Sequence, residues 1–160
     1  MYLAKIDYRK RQHVYQNIPD LYFAGGCHDD RFNTDNPRYL GHWSKSTLYD
    51  SLTDYANLVL LSDGEAHPLV CMEALSAGLG LVISEPAAAN LDLDLPFIDV
   101  IPNDKLDDVS YVEKTIINNR KISISNRNKI REYAVNNHNW ENVVENIYVA
   151  SINSFCERGA

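Results

Sequence analysis

The chain has 160 residues, with 22 Asp and Glu against 15 Lys and Arg, and a formal charge of −7 at pH 7. That balance speaks against non-specific binding to nucleic acid, or to an anionic membrane, through a global positive field. The length suits one domain with a core of its own, spanning 1–160, and no apolar run approaches the roughly 20 residues that a membrane span needs. No signal-peptide pattern opens the chain. Cys27, Cys71 and Cys156 are odd in number, widely spaced and free of any C-x-x-C pattern, so they read as reduced thiols in a cytoplasmic protein.

Residues 2–6 read as a short strand that leads into the basic turn Asp7-Tyr8-Arg9-Lys10-Arg11. A short helix over 12–17 stops before Pro19, and a second strand over 20–24 ends at Gly25-Gly26. Cys27-His28-Asp29-Asp30 has the composition of a metal site, but its spacing fits no standard zinc site. Magnesium would want more convergent carboxylates, so a polar loop is expected there. His13, His28 and His42 show no spacing that demands a site. Tyr39-Leu40-Gly41 lies within 36–43, and Ser44 or Ser46 caps a helix with Leu48, Leu52 and Tyr55 on its apolar side.

The next stretch organises the rest. A strand over 57–61 precedes the turn Asp63-Gly64-Glu65-Ala66-His67. A helix follows, with Pro68 near its first turn and Gly78 just past its end. A strand over 81–83 completes a strand–turn–helix–strand unit of the parallel α/β kind. The turn opens onto a helix N-terminus, where unpaired N–H groups and the helix dipole favour an anion. Glu65 and Glu73 flank that start, and Leu69 lies one turn before Glu73 on the same helical side. An ionised carboxylate accepts hydrogen bonds from neighbouring hydroxyls, which suits a polyhydroxylated ligand. A last strand over 97–101 is ended by Pro102. Three helices are expected after it: 105–117 with Val109, Val112 and Ile116 inward, 126–135, and 140–155 with a stripe of Val143, Val144, Ile147, Tyr148 and Ile152.

Glu65 and Glu73, with Glu-Ala-Leu-Ser-Ala-Gly over 73–78, resemble the E-x7-E signature of retaining GT-B glycosyltransferases, most closely the large family 4. Lys5 and Lys10 match a pair of basic residues, five positions apart, that follows the first strand of that family's donor-binding domain. His138-Asn139-Trp140 resembles the start of its closing helix. The resemblance implies an α/β, three-layer, Rossmann-like domain with a parallel sheet, the C-terminal half of a GT-B fold, with the N-terminal acceptor domain absent. It implies transfer of a sugar from a nucleoside-diphosphate donor, a UDP-sugar or a related one, with retention at the anomeric carbon. Lys5 and Lys10 would hold the diphosphate together with amides around Leu69 and Val70. Glu65 would bind the donor sugar's hydroxyls and Glu73 the ribose. His67 would shape the sugar pocket, and Tyr39 and Gly41 would lie near the base. No metal and no cofactor other than the donor substrate is implied.

The sequence departs from the family at three places. Lys5 stands where Arg is usual, replacing a bidentate fork by a point charge. Ala66-His67-Pro68 replaces a glycine-flanked aromatic, and Pro68 brings no N–H. Ala87-Ala88-Ala89 stands near the usual glycine pair. Two other functions fit the same residues: a nucleotide-sugar epimerase or hydrolase of similar fold, and a non-catalytic nucleotide-sugar-binding module. In the transferase reading the acceptor site belongs to a missing N-terminal half or a partner, the isolated domain is inactive, no nucleic acid is bound, and any membrane association comes through the missing parts.

Overall fold

Asn57–Leu60 (β3) and Gly80–Ser84 (β4) are buried at every position. Such uninterrupted burial is what parallel strands covered on both faces need. In this computed structural model, which describes residues 1–66, 68–139, 141, 144–149, 152 and 155, they lie at the middle of a five-stranded parallel sheet. The other strands are Tyr2–Leu3 (β1), Phe23–Ala24 (β2) and Ile98–Ile101 (β5), and the order is β2-β1-β3-β4-β5. Every pairing is parallel. β2 lies on one side of β1 and β3 on the other, so the winding reverses between β1 and β3. In open α/β sheets the crevice outside the carboxyl ends of the strands at such a reversal is where ligands bind.

The first two strands are shorter than the sequence predicts. Pairing nevertheless continues past their ends, because Ile6 N–H donates to Gly26 O (3.0 Å) and His28 N–H to Ile6 O (2.8 Å). Beyond β2, Tyr39 adds a one-residue parallel bridge to Phe23. The helices are Gln12–Tyr15 (α1), Lys45–Ser51 (α2), Leu69–Ser76 (α3) and Val109–His138 (α4). Ser44 rather than Ser46 caps α2, its hydroxyl accepting from Thr47 N–H (3.1 Å). Gly78, at φ 80°, ends α3 in the left-handed conformation that glycine adopts without cost.

The two helices expected over 105–117 and 126–135 are one. The chain makes a 3-10 turn over Asn103–Lys105, Asp108 caps Tyr111 N–H (3.0 Å), and α4 then runs for 30 residues. The polar stretch between the expected helices reads as a break, but its Asn119 and Ser123 are buried. Asn119 Nδ2 donates toward Leu81 O (3.1 Å), Phe97 O (3.1 Å) and Asp99 Oδ2 (2.9 Å), while its Oδ1 accepts from Asn57 Nδ2 (3.1 Å). Gly80 makes the approach possible. A Cβ there would stand 2.0 Å from Ser123 Oγ and 2.8 Å from Phe97 O. Of the expected closing helix, the run Val144–Val149 is π-helical. Tyr148 and Ile152, placed on its buried stripe, are exposed instead; Trp140 and Val143 lie outside the described residues.

Candidate functional site

At the winding reversal the loops after β1 and β3 meet. Asp7 caps the 3-10 turn Tyr8–Lys10 by accepting from Arg9 N–H (3.1 Å), which turns the chain back over the sheet end. Arg9 O accepts from Asp63 N–H (2.8 Å), joining that turn to the loop after β3. Tyr2, wholly buried in β1, sends its hydroxyl into the same junction. The phenol donates to Lys10 O and accepts from Leu61 N–H (2.8 Å), and burial pushes it well above the ordinary tyrosine range. Arg11, in a left-handed conformation at φ 53°, bridges Asp63 (2.7 Å) and Asp107 (2.8 Å).

Within this frame Lys10 Nζ forms an ion pair with Glu65 Oε1, and the two side chains are only 18% and 16% exposed. Lys10 and Glu65, two of the residues singled out in the sequence, are therefore in direct contact across 55 residues of chain. Cys71, buried in the first half of α3, is close enough to feel the pair. Burial first, and then the Glu65 charge, push its thiol up to about 12, so it stays protonated.

Lys5 is exposed and lies on a neighbouring cavity of about 360 Å³, with Gly25, Gly26, His28, His42, Trp43 and Leu48 around it. Gly25, at φ 148°, forms its floor; a Cβ there would stand 2.0 Å from Ala4 O. Tyr39 and Gly41 hold that floor from behind. Tyr39 Oη donates to Gly25 O (2.9 Å) and Gly25 N–H donates to Gly41 O (2.8 Å). The spacing of the histidines suggested no site, yet the fold brings His28 and His42 to one cavity. The glycine pair at the end of the second strand was the one sequence signal for it.

Glu73 is half-buried and faces a separate groove of about 450 Å³, between α2 and α3, with Tyr49, Leu52, Met72, Ser76 and Arg131. Leu48 is a wall common to groove and cavity. Leu69 and Val70 are the first residues of α3, Leu69 largely exposed, and no side chain caps that start at Pro68. His67 lies outside the described residues. The sequence-derived residues thus fall in three places rather than a single pocket: the Lys10–Glu65 pair, the cavity beside Lys5 and the groove of Glu73.

The Cys27–Asp30 loop is held by other bonds. Asp29 accepts from Arg31 Nε (2.8 Å) and Nη2 (2.9 Å), and His13 Nδ1 lies 3.3 Å from its second oxygen. The Arg31 hydrogen bonds hold the Asp29 carboxyl below the usual carboxylate range. Burial and Arg31 lower His13, against the pull of Asp29. Among the described residues no three His, Cys, Asp or Glu side chains converge on one point, and no helix is long and apolar enough to cross a membrane.

No protein-family model matches the chain, and no curated protein matches it in sequence. Solved structures do match in fold. TarM superposes with a TM-score of 0.66 at 16% identity, over 91% of this chain and 33% of its own. WaaG, a glycosyltransferase involved in lipopolysaccharide biosynthesis, gives 0.56 at 16%, over 83% and 41%. A chain of the GtfA/B complex gives 0.57 at 17%, over 82% and 32%. All three are GT-B glycosyltransferases, and at this identity the likeness establishes the parallel, Rossmann-like fold. The chain spans between 32% and 41% of the length of these three proteins.

Proposed function

We propose that this domain binds a nucleoside-diphosphate sugar and serves a retaining glycosyl transfer whose acceptor site lies in a further domain or partner. The observation that carries the reading is the Lys10–Glu65 pair, at the carboxyl edge of the sheet where its winding reverses. A cation and a carboxylate side by side suit the two ends of a sugar diphosphate, one anionic and one rich in hydroxyls. The likeness to GT-B glycosyltransferases supports the same assignment.

In this reading Lys10 and Lys5, with the amides of Leu69 and Val70, stabilise the diphosphate as negative charge builds on it during departure. Glu65 orients the sugar through its hydroxyls, and Glu73 grips the ribose. The bond from the anomeric carbon to the diphosphate oxygen breaks, and the acceptor oxygen bonds to the same face. The acceptor's proton passes to the departing diphosphate, so no carboxylate nucleophile is needed. Titration calorimetry with UDP and GDP tests the donor site. Binding is expected for one of them and should weaken with added salt, because phosphate neutralisation at exposed Lys5 is screened. No heat from UDP, GDP or their sugar conjugates at millimolar concentration overturns the reading.

A further inference from the structure

While Lys10 and Glu65 are paired, each charge is partly neutralised by the other, so a ligand that draws on one leaves the other less compensated. From this we infer that the ion pair is a selectivity device: it favours a nucleotide carrying a sugar over the same nucleotide without one. The inference rests on the donor-site reading and goes beyond it.

The groups around the pair leave little else to happen. A diphosphate that draws the Lys10 ammonium competes with Glu65 for its charge. Arg11, the next residue along the chain, is already committed to Asp63 and Asp107. Among the described residues Lys10 is the one ion-pair partner of Glu65. The carboxylate would then be left charged and without its ion-pair partner, part-buried near the buried Cys71, which costs more than the same charge in open water. A donor sugar removes that cost, because its hydroxyls donate to the carboxylate as the lysine leaves. A nucleoside diphosphate has only its ribose hydroxyls, which go to Glu73 in this reading and leave Glu65 uncompensated. Once the sugar has been transferred, Glu65 competes again for Lys10, and the spent nucleotide loses its cation. The pair thereby favours loading at the start of a cycle and release at its end.

The test is calorimetry on the protein and its Glu65→Gln variant, using UDP, UDP-glucose, GDP and GDP-mannose. The native protein should bind the sugar nucleotide more tightly than the diphosphate of the same base. In Glu65→Gln the diphosphate should bind roughly tenfold more tightly, the scale of one charge-assisted contact released, and the preference for the sugar nucleotide should fall by a similar factor. Removing a negative charge near an anion could also tighten binding without any exchange. The Lys10→Ala background separates the two, since an exchange needs Lys10 and a general field does not. A gain that persists undiminished in that background overturns the inference, as does diphosphate binding in Glu65→Gln that is unchanged or weaker. Glu65→Ala, with its melting temperature recorded, should shift the diphosphate in the same direction and guards against a folding defect in one variant. If the native protein binds none of the four nucleotides, the donor-site reading falls and this inference with it.

Discussion

A single phenol sets the position of the lysine at the site. Tyr2 Oη uses its proton on Lys10 O and a lone pair on Leu61 N–H, tying the loop after β1 to the end of β3. Tyr2→Phe keeps the ring, which stacks on Phe23 with centroids 6.0 Å apart, and strands both backbone groups. Denaturant unfolding should show a loss of about 1–3 kcal/mol, the cost of unsatisfied buried polar groups. An unchanged midpoint would mean that those groups find water instead. None of this is legible in the sequence. Tyr2 reads there as one more strand residue, and its partner Leu61 is 59 positions away. Lys10 and Glu65 could each be picked out by spacing and residue type, but their contact is a product of sheet order, which spacing along the chain does not encode.

The central element was legible and the longest one was not. The helix after the turn is announced by local chemistry, with Pro68 at its entry and Gly78 at its exit, and α3 fills that interval. The middle of α4 carries polar residues whose partners lie on β3, β4 and β5, so local pattern reads a gap where tertiary contact builds a seam. Gly80 is the tight point of that seam. Gly80→Ala should destabilise by about 1–3 kcal/mol through overpacking, read by thermal or chemical unfolding. Adding Ser123→Ala should restore part of the loss, since the Ser123 hydroxyl is the nearest clash and Phe97 O the next. Gly64→Ala is the matched control. A Cβ there meets nothing within 4 Å, and its effect should stay within about 0.5 kcal/mol. Equal losses at both positions would remove the packing explanation.

For the whole molecule, acid acts through groups whose folded and unfolded affinities for protons differ. Burial and the Arg31 charge lower His13, so below its unfolded value of 6.5 the unfolded chain holds a proton that the folded chain does not, and stability falls as pH drops toward the folded value. Asp29 acts last: its contribution, present above 3.8, is lost as pH falls through its lower folded value. The melting temperature should therefore decline as pH falls below 6.5, and His13→Gln should flatten the first part of that decline. A melting temperature constant down to pH 4 would show that His13 stays hydrated.

Gly25 decides how the adjoining cavity could be re-engineered. Its missing side chain is not spare room, since Ala4 O occupies the space from below, so no library member with a larger residue at that position keeps the backbone where it is. Directed evolution of ligand choice has to work on His28, His42, Trp43 and Leu48, whose side chains rise from that fixed base. Of these, Leu48 also borders the groove that holds Glu73, so a substitution there acts on both compartments at once.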